Sequence, residues 1–216
     1  MFCSKIKPIF EKKIIMSTAI AEAPIKRRKA SAKIPDFLIY EVVKGKPIYY
    51  KGYKEVLNGT KTFEEITTES ILQSSLKAFI TALIFFDLRN KGYYVTVGEM
   101  GINLSRQDKR GADISIFSKE KFKLVDKYSD LPPEIIKEID VRAEVEDRHE
   151  MDYVSEKIDD YHKFGVKRII WIFTKAKKVI TANAGETWLM ADWSTDVEIM
   201  AGININVAEM INKFTP

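Results

Sequence analysis

The pattern of hydrophobic residues in the first half of the chain predicts a hairpin followed by a long helix. β-Branched and aromatic runs at residues 37–43 and 47–50 flank a turn that contains Gly45, which is typical of a β-hairpin. Over residues 69–90 the apolar side chains recur every three or four positions, and Gly92 follows where a helix stop is expected. This spacing predicts an amphipathic helix.

The second half of the chain alternates strand patterns with one further helix. That helix is predicted over residues 152–164, where Gly165 closes it. The predicted strands are 93–99, 111–117, 134–141 and 167–173, with short edge strands at 178–181 and 187–190. The strand at 167–173 has a wholly apolar centre, as expected of a strand covered on both faces. This order of elements predicts an α/β fold with a mixed sheet.

Composition fits one folded domain of this class. The chain has 216 residues, of which 45% are apolar and 11% aromatic, which is too apolar for a disordered chain and enough for one sizeable core. The single cysteine, Cys3, cannot form an internal disulfide, so a cytoplasmic location is expected. The longest apolar stretch, residues 71–88, carries six polar side chains, which argues against a membrane span.

Positive charge is concentrated at the N-terminus. Residues 1–34 hold nine Lys or Arg and two Glu, a local charge of +7 in a chain of net charge +4, which leaves −3 for the rest. We therefore expect a basic N-terminal extension over residues 1–34 and a single domain over residues 35–216. The run Lys26, Arg27, Arg28 and Lys29 is a candidate for contacts with nucleic-acid phosphates, and a solvated tail is the alternative.

Three acidic residues interrupt otherwise apolar strand patterns, namely Asp113, Glu138 and Asp140. A buried carboxylate is costly to desolvate, and a divalent cation compensates that cost strongly. Period-two geometry places Glu138 and Asp140 on one face of their strand and Lys137 on the other. Convergent carboxylate oxygens favour Mg²⁺, with Mn²⁺ as a substitute. The residues alone leave ion pairing of these acids with Lys or Arg as an equal alternative.

A series of motifs runs in a fixed order from the first strand to the apolar strand at 167–173. The motif positions are Tyr40 and Glu41, Gly45, the helix from Glu69, Ala112 and Asp113, residues 133–139, Lys157, Tyr161, Gly165 and Val166, and Ile170 and Trp171. In this order the chain resembles the restriction endonuclease (Uma-two type) family of the PD-(D/E)XK nuclease superfamily. The resemblance spans about residues 36–182, and its most specific block is residues 157–173.

The resemblance implies a restriction endonuclease-like fold, in which helices flank a mixed central sheet, and a metal site at Asp113 and Glu138. The superfamily's motif lysine would fall where this chain has Asp140, and the resemblance implies that Lys157 on the second helix replaces it. Asp140 is then a further candidate metal ligand. The possible accessory residues are Glu41, Gln73 and Tyr161.

The function that the resemblance implies is hydrolysis of phosphodiester bonds in DNA by a metal-activated water. A cut through both strands would need two active sites, so a homodimer is expected, with no organic cofactor and no membrane partner. Because Asp140 stands where a lysine is expected, the alternative is a nucleic-acid-binding or regulatory module that has lost catalysis.

Overall fold

An eight-stranded mixed sheet forms the centre of the described chain, which comprises residues 33–144, 149–200 and 202–214 of a computed structural model. The basic run Lys26, Arg27, Arg28 and Lys29 lies outside the described residues. The strands of the sheet are β1 (Ile39–Val43), β2 (Lys46–Tyr49), β3 (Tyr93–Asn103), β4 (Lys109–Ser118), β5 (Ile135–Ile139), β6 (Arg168–Phe173), β7 (Lys178–Asn183) and β8 (Leu189–Asp192). Their order is β2-β1-β4-β5-β6-β7-β8, with β3 also paired to β4.

Most neighbouring strands in this sheet are antiparallel, and β5 and β6 run parallel. A separate hairpin is formed by β9 (Val197–Met200) and β10 (Ile203–Ile205). The predicted hairpin and the six further predicted strands are confirmed, with ends shifted by a few residues. The hairpin β9–β10 has no counterpart in the sequence prediction.

The described helices include the two predicted from the sequence. The α-helices are α1 (Tyr53–Leu57), α2 (Phe63–Thr67), α3 (Ile71–Leu88), α4 (Glu150–Phe164) and α5 (Val207–Phe214). The two predicted helices are α3 and α4. Helix α3 begins in a capping box, in which the Ser70 hydroxyl accepts from the Gln73 backbone N–H and the Gln73 side chain accepts from Ser70 N–H. Helix α4 ends at Gly165, whose φ of +115° only glycine adopts without strain.

The sheet has an apolar core on each face. On one face α3, the β9–β10 hairpin and α5 pack around Ile170 and Ile172 of β6. On the other face α4 packs around Ile169 and Trp171 of the same strand. Alternate residues of β6 therefore enter both cores, which confirms the prediction of a strand covered on both faces.

Helix α3 is long and apolar enough, by length and composition, to cross a membrane. In this fold its buried residues Leu76, Ile80, Ile84 and Leu88 recur at helical spacing and pack on the sheet. Packing of this stripe in the core thus explains the apolar composition of α3.

The sheet forks beside β4. One edge of β4 pairs with β1 at Lys109 and with β5 at residues 114–116. Between these points, residues 110–113 face a gap in the ladder, where side chains take the place of a strand. The Gly111 N–H donates to Glu41 at 3.1 Å, and the Gly111 carbonyl accepts from the Tyr161 hydroxyl at 2.6 Å. The fork therefore draws polar side chains from β1, β4, β5 and α4 to one place.

Candidate active site

Asp113 is fixed at the fork by two contacts from different elements. Its Oδ2 accepts from the Ile139 backbone N–H of β5 at 2.8 Å, and its Oδ1 lies 2.6 Å from Lys77 Nζ of α3. The residue is 4% exposed. A carboxylate in this position is oriented by a backbone donor on one oxygen and has a cation on the other.

Glu138 lies on the adjacent strand β5 and is also buried. Its Oε1 is 2.8 Å from the Tyr161 hydroxyl and 3.1 Å from Lys157 Nζ. Burial raises the pKa of Glu138 to about 7, Lys157 opposes that shift, and the nearby Asp113 adds to it. The Tyr161 hydroxyl lies within hydrogen-bond distance of both the Gly111 carbonyl and Glu138, and it has one hydrogen to donate.

Lys157 lies behind the acids in an enclosed cage. Its Nζ lies 2.9 Å from Glu41 Oε1, and the lysine is only 1% exposed. The surrounding aromatic rings, with centroids 5.6 to 5.8 Å from Nζ, are Tyr40, Tyr153, Tyr161 and Trp171. Burial alone would lower the pKa of Lys157, but Glu138 and Glu41 outweigh burial and raise it. Lys157 is therefore a charged ammonium group sealed from solvent.

Glu41 is the most heavily bonded of the acids. Besides Lys157 and the Gly111 N–H, it accepts from Arg110 at 2.9 Å and from the Tyr153 hydroxyl at 2.7 Å. Burial tends to raise the pKa of Glu41, but Lys157 and Arg110 more than offset burial and lower it. Arg110 also donates to Asp160 of α4. Glu41 is thus an ionised carboxylate that ties β1 to β4 and α4.

A second ionic cluster covers the Asp113 side of the fork. Lys77 pairs with Glu69 as well as Asp113, and Arg142 pairs with both Glu69 and Glu99. Lys77 and Glu69 also line a groove of about 530 Å³ between α3 and β3. Lys77 is therefore the lysine of the site that borders an open groove.

The model of the Uma2 family, which is described as putative restriction endonuclease, matches residues 55–195 of the chain. The match covers well over half of the 216 residues. The chain belongs to the Uma2 family. A search of curated proteins finds no match.

A solved structure supports the fold of this Uma2 family member. The crystal structure of a putative nuclease belonging to DUF820 from Anabaena variabilis matches with a TM-score of 0.59 and 13% sequence identity. The alignment covers 80% of this chain and 89% of that chain. The family and the restriction endonuclease-like α/β fold predicted from the sequence are thereby confirmed, and together they support a nuclease.

Families of this type generally use a divalent metal. The balance of charges at the fork tests whether this site could hold one. The described residues contain no group of three or more His, Cys, Asp or Glu placed to hold a metal. Their linked ion pairs nevertheless join six carboxylates to four cationic side chains. The acids are Glu41, Glu69, Glu99, Asp113, Glu138 and Asp160, and the cations are Lys77, Arg110, Arg142 and Lys157.

The two excess negative charges of this Uma2 site match one divalent cation. The excess is divided equally, one on the Glu138 side and one on the Asp113 side. Oxygen donors with an uncompensated charge of −2 suit Mg²⁺ or Mn²⁺. The donor set therefore fits the metal that the family implies.

Asp140 does not join Glu138, contrary to the period-two expectation. Strand β5 ends at Ile139, and Asp140 adopts a left-handed backbone with φ of +59°. Its carboxylate accepts from Gln73 Nε2 at 2.8 Å and from Thr174 N–H and hydroxyl at 2.7 and 2.6 Å. The structure thus places Asp140 and Gln73 together as a link between α3 and the end of β6, apart from Lys157 and Tyr161.

We expect Asp140→Ala to lower the free energy of unfolding by about 2 kcal/mol, because partly buried donors lose their acceptor and alanine disfavours a left-handed backbone. Asp140→Asn should lose less, since asparagine tolerates this conformation and keeps one acceptor oxygen. Chemical denaturation measures both. In calorimetric titration with Mn²⁺, Asp140→Asn should have wild-type affinity. A loss of Mn²⁺ binding would show that Asp140 is a metal ligand.

Lys137 lies opposite the acids, as predicted. It is fully buried between Ile114 and Ile170 of the neighbouring strands. Burial lowers the pKa of Lys137 to about 7. The lysine next to Glu138 in sequence therefore contributes no charge pairing to that carboxylate.

Sequence reasoning missed five charged residues of the site, among them Asp160 of α4. The other four are Lys77, Glu99, Arg110 and Arg142. Lys77 was a visible signal, because it falls between Leu76 and Ile80 on the apolar stripe of α3. A lysine in a buried helical stripe needs a buried acid as partner, and that requirement could have linked α3 to the acidic strands.

Proposed function

We propose that this protein is a metal-dependent endonuclease that hydrolyses phosphodiester bonds in DNA with a metal-activated water. The observation that supports the proposal is the position of two buried carboxylates, Asp113 of β4 and Glu138 of β5, on adjacent strands at the sheet fork, in a chain of the Uma2 family. Each is paired with a lysine, and the acids of the surrounding ion-pair network outnumber its cations by two.

Asp113 and Glu138 would hold the cation. When bound, Mg²⁺ or Mn²⁺ supplies Lewis-acid polarisation of the phosphate and makes a water more acidic. Within the protein, the Ile139 N–H orients Asp113, and the Tyr161 hydroxyl orients Glu138. These donors limit the positions that the two carboxylates can take, which is how a fold prepares a site for a transition state.

The two lysines would have different roles. Lys157 is sealed behind Glu41 and Glu138, so we assign it as a positioning residue that holds the two carboxylates at the fork and favours their ionised forms. Lys77 borders the open α3–β3 groove and contacts Asp113. We assign to Lys77 the stabilisation of negative charge on the phosphoryl oxygens, the task first inferred for Lys157.

A nucleic-acid-binding module without catalysis is the second candidate. It is favoured by the lysine pairing of both acids, because Lys77 and Lys157 occupy oxygens that a metal would use. A homodimer belongs to the first candidate, since a cut through both strands of DNA needs two sites.

The test is cleavage of supercoiled plasmid with Mg²⁺, Mn²⁺ or a chelator between pH 6 and 8. We expect nicking that needs added metal and increases with pH through about 7, because Glu138 must lose its proton before it can bind a cation. Calorimetric titration with Mn²⁺ should show affinity rising over the same range.

The outcomes separate the two candidates. Mn²⁺ binding without cleavage, or DNA binding without either, would support the inactive module. Cleavage that persists in chelator, or that falls as the pH rises from 6 to 7, would contradict the assigned role of Glu138.

A further inference from the structure

A groove near the metal site combines an apolar floor with a basic rim. It lies under residues 121–131, and its volume is about 580 Å³, within the range of small-ligand pockets of roughly 300–1,000 Å³. Met100, Phe117 and Phe122 line its floor, and Lys121, Lys123 and Lys127 line its edge. We refer to this feature as the loop groove.

Tyr128 connects the loop groove to the metal site. Its ring packs directly on Gly101 of β3, where an added Cβ would lie only 2.5 Å from ring atoms. Gly101 pairs with Gly111, two residues before Asp113. With a strand rise of about 3.3 Å and a strand spacing of about 4.8 Å, Gly101 lies roughly 8 Å from Asp113 on the same strand face.

The aromatic rings of this region are exposed and lie close to lysines. Tyr128 is 52% exposed, and Lys109 Nζ lies 5.9 Å from its ring centroid. Tyr94 is 45% exposed, stacks on Phe122 at 4.6 Å and has Lys119 Nζ 5.5 Å from its centroid. Exposed rings beside ammonium groups form the surface on which unpaired bases stack while their phosphates meet positive charge.

Local charge favours a polyanion. Residues 119–127 contain four lysines against two acids, although residues 35–216 together carry −3. The ion pair between Lys127 and Asp130, at 2.7 Å, is largely exposed and so holds its lysine weakly. This loop therefore carries a small positive charge that complements phosphate, although Asp130 also lines the groove.

We propose that the loop groove binds one unpaired strand of nucleic acid, with a base stacked on Tyr128 and phosphates at Lys121, Lys123 and Lys127. Only an unpaired strand can place bases against the apolar floor, since a duplex presents phosphates outward and keeps its bases stacked. The proposal rests on the nuclease function and specifies its substrate as single-stranded or locally opened DNA within a few nucleotides of the metal site.

The test measures binding without catalysis. Fluorescence anisotropy of a labelled oligothymidylate and of a duplex, both in chelator, compares the wild type with Tyr128→Ala and with a K121A/K123A/K127A triple variant. The matched control is K46A/K163A/K175A, which removes the same charge from exposed positions elsewhere. Tyr128→Phe, which keeps the ring and its packing on Gly101, checks that the effect comes from the ring and not from the hydroxyl.

We expect Tyr128→Ala to weaken single-strand binding about 10-fold or more and Tyr128→Phe to leave it near wild type. The groove triple variant should also reduce the slope of log affinity against log salt by about 2, unlike its control. Undetectable binding by the wild type, equal effects of the two triple variants, or equal losses for the duplex would overturn the proposal. Binding of a single strand in the groove without any cleavage would contradict only the proposal of a metal-dependent endonuclease.

Discussion

Replacing Asp113 by Asn should reduce metal-dependent DNA cleavage roughly 10²- to 10³-fold or more, since a preorganised charged group at the reacting phosphate is removed. Asparagine has nearly the same shape and keeps an oxygen to accept from the Ile139 N–H. The substitution therefore removes the charge that faces Lys77 and the cation but not the shape of the site. Single-turnover cleavage rates and Mn²⁺ titrations measure the two losses.

Asp87→Asn is the matched control, because Asp87 is an exposed carboxylate near the end of α3. It should cleave and bind metal like the wild type. Cleavage by Asp113→Asn within about 10-fold of the wild type would mean that the cation is held without this carboxylate, and the assigned ligand pair would be wrong.

The Lys77→Met variant separates metal binding by Asp113 from stabilisation of the phosphate by Lys77. If Lys77 stabilises the phosphate and holds no metal, the variant should bind Mn²⁺ at least as tightly as the wild type, since a competing cation leaves Asp113. Its cleavage rate should fall. Parallel losses of both properties in this variant would instead indicate that Lys77 mainly positions Asp113.

The positions of β1–β8, α3 and α4 followed from the sequence, because a helix buried on one face has an apolar stripe and a strand buried on both faces has an apolar run. The apolar run of β6 and the helical stripe of α3 each have one simple packing explanation, and the structure uses it. The short helices α1 and α2, by contrast, have no buried residues. A pattern method has nothing to detect where no face is buried.

The carboxylates of the site were visible in the sequence, but most of their partners were not. Asp113 and Glu138 stand out because they interrupt apolar strands. Arg110 and Arg142 lie near turns, where a charged residue raises no question, and their partners are more than 40 residues away in sequence. Only the fork in the sheet brings them together, and a fork leaves no periodic signal.

Asp140 shows a second limit of period-two reasoning. The alternation of residues 134–141 continues in the sequence, but β5 ends at Ile139 and the next residue turns into the left-handed region. One residue of difference in strand length moves the Asp140 side chain away from the proposed metal site to the Gln73 and Thr174 link. Strand ends depend on tertiary contacts, here the Trp171 indole N–H that donates to the Asp140 carbonyl at 2.9 Å.

The second large effect is expected for Lys157→Met, which should lower the free energy of unfolding by about 3–5 kcal/mol at pH 8, because removing one partner leaves buried carboxylates uncompensated. Glu41 keeps Arg110 and Tyr153, so the cost falls mainly on Glu138. A Glu138→Gln substitution in the same chain should therefore recover most of the lost stability. Lys163→Met, at an exposed position of the same helix, is the control.

The pH dependence of this loss identifies Glu138 as its cause. The pKa of Glu138 is already about 7, mainly through burial, and removal of Lys157 raises it further. Between the usual pKa of a glutamate and that raised value, the folded state takes up a proton that the unfolded state lacks, which stabilises the fold as the pH falls. Lys157→Met should therefore lose clearly less stability at pH 5.5 than at pH 8 in chemical denaturation. Equal losses at both pH values would place the cost in packing of the lysine stem among its four aromatic neighbours, and Lys157 would then have no electrostatic role at the metal site.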